Sequence, residues 1–229
     1  MFTCSIRSVI QAMLFTLTFL FPFFSFAQTF PTVDAYFAEL AGKHRIMEQH
    51  SAPVRTSSGE RIFGIVCWDL ETGPEELPNA EASVFILERA STGLTVLARS
   101  QPFEFRAKYQ SFLELAIEAS SKDRFRVTVS LQSGGIGFFQ YRFIERHNTW
   151  YLAGLESSQS SSHLEEGDEA IGDSRSERST NFLTGSTIIK TFHANKLASV
   201  ERKKKVFPKF PLEQFEIFDL RHDPQYEEY

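Results

Sequence analysis

The residues with chemical reach in this chain fall into a few clusters. Glu165, Glu166, Asp168, Glu169 and Asp173 form the densest acidic stretch, and Arg202, Lys203, Lys204 and Lys205 form the densest basic one, extended by Lys209. Closely spaced carboxylates suit weak cation binding or capture of a basic partner, whereas a run of cations suits anionic envelope material or an acidic protein. Both clusters also have a plainer account. The acids decorate a solvated loop, and the lysines guard an exposed sheet edge against unwanted pairing. Glu114 and Glu118 share one face of an expected strand, but a strand spacing does not set two carboxylates across a substrate, and polar decoration explains them.

Common reaction patterns are missing from the sequence. There is no His-Glu-x-x-His helix, no Gly-x-Ser-x-Gly elbow, no phosphate loop and no dinucleotide fingerprint, so no catalytic residue, metal ligand or cofactor is assigned. The six histidines, His44, His50, His147, His163, His193 and His222, are scattered without metal-ligand spacing. Cys67 stands in the apolar run IFGIVCW, where a buried inert thiol is expected.

The first residues bear on where the chain works. Arg7 precedes an apolar run that reaches Phe24, and Ser25 and Ala27 give the small-x-small pattern of a signal-peptidase site, so cleavage is expected after Ala27. Pro22 and the lack of a stop-transfer charge cluster argue against a retained anchor, and no cysteine follows the run to carry a lipid. The expected product is periplasmic or secreted, with no stable membrane insertion. Removing residues 1–27 leaves 202 of 229 residues and moves the net charge from −5 to −6, since Arg7 is lost. That length suits a single domain, which buries about 70% of its unfolded surface. The acidic balance excludes nonspecific nucleic-acid binding. Only Cys67 of the two cysteines then remains, so no internal disulfide forms.

Most of the chain reads as β-structure. Val33, Phe37 and Leu40 line one face of a short helix that Thr32 caps and Gly42 ends. Residues 51–60, with Pro53, Ser57, Ser58 and Gly59, read as a flexible crossing, and 61–68 as a central strand. Gly73, Pro74 and Pro78 stop that strand, and 82–88 with 94–97 make a hairpin around Gly93. Residues 112–120 alternate as a strand, although Ser111 and Glu114 also satisfy a helix capping box; the strand is preferred because it turns directly into Phe125, Val127, Val129 and Leu131.

The run 138–155, FFQYRFIERHNTWYLAGL, reads as a hairpin with its turn at 146–149. Phe139, Tyr141 and Phe143 fall on one side, and Trp150, Leu152 and Gly154 alternate against Tyr151, Ala153 and Leu155. Phe138, Tyr141, Trp150 and Tyr151 serve either as an exposed recognition patch or, as preferred, as core. Residues 157–179, rich in serine and charge, read as a loop. Short strands are expected at 181–184, 187–192 and 197–200. Pro211, Leu212, Phe215, Ile217 and Phe218 permit a docking turn or a last strand, with 221–229 loose.

Three of these segments carry a resemblance. Tyr141 to Phe143, Trp150 to Gly154 and Asn181 to Gly185 spell YRF, WYLAG and NFLTG, a series that resembles a group of poorly characterised exported bacterial proteins. The resemblance spans about a third of the chain and implies no established activity. Proteins that look like this often carry a calcium-type Asp-x-Asn-x-Asp-Gly loop similar to those of FG-GAP and VCBS-like proteins. Here Asp69, Glu71 and Gly73 fall nearest to it, without the alternating oxygen ligands, and no propeller-length repeat is present.

The sequence therefore leads to a mainly β fold, a compact antiparallel meander or sandwich-like sheet with an N-terminal helix. Its expected divisions are a leader at 1–27, a helix and linker at 28–60, one β-rich domain at 61–220 and a tail at 221–229. The expected function is noncatalytic binding of an envelope or secreted protein, of an immunity-like kind, through a sheet edge or the loops around 157–179. A periplasmic hydrolase with a noncontiguous acidic site and a structural accessory of an envelope assembly are the alternatives.

Overall fold

A computed structural model describes residues 28–70, 79–106, 113–132, 136–161 and 174–216. The leader, the turn expected at 133–135, the acids from 165 to 173 and the tail beyond 216 lie outside the described residues.

Chain order is β1 (Thr29–Phe30), α1 (Val33–Ala41), β2 (Ile46–Thr56), β3 (Gly59–Leu70), β4 (Asn79–Ala90), β5 (Gly93–Arg99) and β6 (Phe103–Arg106), then β7 (Leu113–Ser121), β8 (Arg124–Gln132), β9 (Ile136–Arg146), β10 (Thr149–Ser161), β11 (Ser174–Asn181), β12 (Ser186–His193) and β13 (Lys196–Lys204). The fold is mainly β. The first sheet runs β1-β5-β4-β3-β2, with β6 pairing the start of β4, and the second is a seven-stranded antiparallel meander from β7 to β13. Among the described residues no helix is long and apolar enough to cross a membrane.

The two sheets face each other across an aromatic core. Phe63 of β3 stacks on Phe125 of β8 at 5.0 Å between centroids and meets Trp150 of β10 edge-on at 5.5 Å, while Phe125 stacks on Phe143 of β9 at 4.7 Å. Tyr141 and Trp150 are both buried there, so these two rings are core, whereas Phe138 is 40% exposed and Tyr151 is half-buried. Each such ring removed from water contributes about 1.5–3 kcal/mol. On the opposite face of the first sheet, α1 lays Tyr36, Phe37 and Ala41 over Ile62, Val66, Trp68, Phe85, Leu87 and Leu94. Thr32 Oγ1 caps the helix by accepting from the Ala35 amide at 3.1 Å, and Gly42 ends it at φ +58°. Because helix and second sheet cover its two sides, β3 is buried without interruption from Ile62 to Trp68.

Several expectations are corrected. The crossing expected at 51–60 is instead the far half of β2 and the start of β3, joined by a tight turn at Ser57 and Ser58. Pro53 is tolerated because β2 is an edge strand of its sheet. The loop expected at 157–179 is strand at both ends: β10 continues to Ser161 and β11 begins at Ser174, with Ser157 paired to Arg178. Between them, 162–173 lie outside the described residues. The strand expected at 181–184 is a turn. Asn181 Oδ1 accepts from the Leu183 and Thr184 amides at 3.0 and 3.1 Å, and Gly185 takes φ +72°.

Alternation also breaks once within the aromatic hairpin. Ala153 is an extra residue between the pairs Leu152–Phe143 and Gly154–Arg142, which swings Leu155 onto the core side opposite Tyr141. Around this bulge the YRF, WYLAG and NFLTG segments form one unit. The Arg142 guanidinium lies across Gly154, where a Cβ would sit 2.7 Å from Nη2, and its Nη1 pairs with Glu156 at 3.4 Å. The Phe182 amide donates to Ala153 O at 3.1 Å.

The sandwich is closed differently at its sides. Where β2 meets β7, Glu48 Oε1 accepts from the Leu115 amide at 3.3 Å and lies 2.6 Å from His50 Nε2, tying the sheets edge to edge. Elsewhere the C-terminal segment seals the core. Its 3₁₀ turn, Leu212–Gln214, buries Leu212, and Phe215 fits among Tyr141, Phe143 and Phe103 at 4.9–5.6 Å. Phe210 O accepts from Leu152 of one sheet, and Glu213 O from Gln101 beside the other. Residues 211–215 thus form a docking turn, while Ile217 and Phe218 lie outside the described residues.

Candidate functional site

β13 is the strand of the second sheet that the core does not support. It pairs with β12 on one side and, among the described residues, with no strand on the other, and all nine of its residues are exposed. It can remain extended because β12 supplies its hydrogen bonds, from Ser186–Lys204 to His193–Lys196, and a two-residue turn at Ala194 and Asn195 sets the register. Its other edge presents backbone donors and acceptors to water, a template for a further strand.

The cations of this strand are Lys196, Arg202, Lys203 and Lys204, against the single acid Glu201, which sits 3.3 Å from Lys203 Nζ. Its apolar residues fall on one side. Ladder partners place Leu197, Val200, Arg202 and Lys204 beside Phe192, Lys190, Ile188 and Ser186. Positions 197 and 200 would point oppositely in a regular strand; the bulge at Ala198 brings them to the same face. Leu197 is 55% exposed and Val200 39%. Phe192 beside them carries the Arg175 guanidinium over its ring at 4.4 Å.

Past Lys204 the chain turns inward. The Lys205 amide donates to Gly185 O at 2.8 Å, so the β11–β12 turn and the end of β13 enclose a groove of about 360 Å³ lined by Phe182, Leu183, Gly185, Lys204, Val206 and Phe207 among others. Gly185 has no room for a side chain, because a Cβ would meet Lys205 O at 1.9 Å. Phe182 is buried against Phe207 and Phe210 and forms the floor, while Leu183 and Val206 stand exposed at the rim. Lys205 Nζ lies 5.7 Å above the Phe207 ring. The result is an apolar groove with a cationic border.

Of the residues singled out in the sequence, Arg202, Lys203, Lys204 and Lys205 therefore come together at this edge. Glu165, Glu166, Asp168 and Glu169 lie outside the described residues. Glu118 of the proposed acid pair is bound to Arg126 on the outer face of the second sheet. Asp69, nearest to the calcium-type pattern, holds the Arg45 amide at 2.8 Å and its guanidinium at 3.1 Å. His147 stands in the β9–β10 turn, and His193 ends β12 beside the next turn. Burial pushes the Cys67 thiol up to about 12, with Glu48 and Asp69 adding to the shift, so this buried cysteine is a poor nucleophile. No group of three or more His, Cys, Asp or Glu among the described residues is arranged to hold a metal ion.

Leu183, Val206 and Phe207 escaped the sequence reading as site residues. Gly185 was the available signal, since a glycine after Asn-Phe-Leu-Thr marks a turn that can bring apolar side chains beside the later lysines. Comparison with protein-family models, with curated proteins and with solved structures gave no match in any of the three.

Proposed function

We propose that this chain is a noncatalytic binding protein of the periplasm or the exterior, which recognises another protein by pairing an extended segment of it with the free edge of β13. The observation that carries this reading is the strand's one-sided pairing among the described residues, combined with its exposure along all nine residues. Main-chain hydrogen bonds supply affinity in such strand addition, and alternate side chains supply specificity. The cations have a double effect: they discourage self-pairing of the edge and draw in acidic partners. The resemblance to exported bacterial proteins and the expected cleavage after Ala27 support the location, and N-terminal sequencing of the exported protein should begin at Gln28.

The experiment places a photo-crosslinking amino acid at Ser199 and exposes the protein to an envelope extract. A specific adduct is expected, reduced by an unlabelled excess of wild-type protein and much less by an excess of Ser199→Pro, which disrupts the edge. Failure to obtain any competed adduct at several salt concentrations counts against the reading.

A further inference from the structure

Resting on that edge-pairing reading, we infer the chemistry and direction of the captured segment: an acidic strand running antiparallel to β13, with acid-x-acid-x-apolar spacing and a bulky apolar residue ahead of the acids. The direction follows from the ladder. Every strand pair in both sheets is antiparallel, and such pairing is slightly more stable per residue than parallel pairing.

Side chains directly across a ladder interact, and here the row is ordered. Read against the strand direction, the outer face presents Lys204, Arg202 and then Val200, with Leu197 beyond. An antiparallel segment read from its N-terminus meets them in that order. Carboxylates opposite Lys204 and Arg202 satisfy the two cations, and an aliphatic residue opposite Val200 covers apolar surface that also includes Leu197 and Phe192. The segment's preceding residues pass over the point where β13 ends, and the groove at Phe182, Leu183, Val206 and Phe207 lies there to receive a bulky apolar side chain.

Charge disfavours a second copy of this chain as the occupant in the register that overlaps the whole strand. Antiparallel pairing of β13 with itself about Val200 would set Lys196 against Lys204 twice, and like charges directly opposite destabilise a sheet.

Two synthetic peptides test the inference, Phe-Thr-Glu-Thr-Glu-Thr-Val-Thr-Val and its reversed sequence, each made once with an N-terminal fluorophore for affinity and once with an N-terminal spin label for NMR. Binding is read by fluorescence anisotropy and by amide protection over residues 196–204. The forward peptide is expected to bind at least tenfold more tightly, to protect those amides and to broaden the NMR signals of Leu183 and Val206. Raising salt from 0.05 to 0.5 M, replacing both peptide glutamates by glutamine, or making Arg202→Glu with Lys204→Glu should each weaken it at least tenfold. These two residues are exposed, so protection of β3 should stay unchanged in the variant.

Equal or tighter binding of the reversed peptide with β13 still protected overturns the direction and order while sparing edge pairing. Failure of both peptides at millimolar concentration overturns the ligand chemistry, and edge pairing then rests on the Ser199 crosslink. A concentration-dependent doubling of mass that protects 196–204 without peptide overturns the acidic occupant in favour of a second copy.

Discussion

Arg61 Nη1 lies 2.6 Å from Glu145 Oε2 and 2.6 Å from Lys122 O, so one guanidinium of the first sheet holds two points of the second. Both side chains are largely shielded, at 13% and 22% exposure, and Arg61 also sits 5.8 Å from the Trp150 ring. Shielding places this pair between an exposed ion pair, which contributes little, and a fully buried one, whose rupture is severe. Arg61→Ala is therefore expected to cost about 2 kcal/mol in urea unfolding, with a coupling of about 1 kcal/mol to Glu145→Ala in a double-mutant cycle. A coupling near zero would show that Arg61 acts through Lys122 O and Trp150 alone.

Gly64 faces Phe85 directly across the β3–β4 ladder, and the ring lies so close that an added Cβ would come within 2.0 Å of Cζ. That ring is the floor on which Tyr36 and Phe37 of α1 rest, at 5.1 and 5.4 Å. Gly64→Ala must tilt Phe85 into the helix, and overpacking of this kind costs about 1–3 kcal/mol. A lowered melting temperature is expected together with faster hydrogen exchange in 33–41. Unchanged exchange in the helix would place the relaxation elsewhere.

The core was legible where side chains alone decide the outcome. The run 62–68 is apolar on both faces, and it became the strand buried on both sides. β2 was not legible, because its inward positions include Glu48, His50, Ala52 and Thr56, only half-buried at a sheet junction. β11, SRSERSTN, carries almost no apolar signal, since it is held by the backbones of β10 and β12. Leu155 was set on the side opposite Trp150 and Leu152, although all three are core, because a bulge has no mark in a two-residue rhythm. At the candidate site, the cations of 202–205 were plain, whereas the groove beside them depends on a hairpin return that brings Gly185 against Lys205.

Two buried acids set the response to alkali. Burial raises the Cys67 thiol from 9.0 to about 12 and the Tyr36 phenol from 10.0 to about 12, the latter against an opposing pull from Arg99. The fold thus favours the protonated forms. Their contribution is fully present below the ordinary values and is lost as pH rises from about 9 toward 12. Urea midpoints should hold near neutrality and fall across that window, less steeply in Tyr36→Phe. At pH 8 a thiol reagent should label Cys67 promptly in urea and far more slowly in the native protein; equal rates would contradict its burial.

Two of the two-residue turns of the second sheet are strained in a way that can be relieved. His147 and Asn148 sit at φ +52° and +59°, and Ala194 and Asn195 at +47° and +61°. Left-handed geometry costs an L-residue roughly 1–2 kcal/mol, and alanine has no polar side chain to offset it. Replacing His147 by Asn and Asn148 by Gly installs the pair that favours this turn, and Ala194→Gly removes the Cβ conflict; each should gain about 0.5–1 kcal/mol after the entropic cost of glycine. The readouts should differ. The first turn joins strands that hold Phe143 and Trp150 in the core, so its gain should appear in the global urea midpoint. The second joins β12 to the exposed β13, which opens without disturbing the core, so its gain should appear as slower hydrogen exchange across 186–204 with little change in the midpoint. A global shift from Ala194→Gly equal to that of the first turn would mean that the β12–β13 hairpin unfolds only with the whole domain.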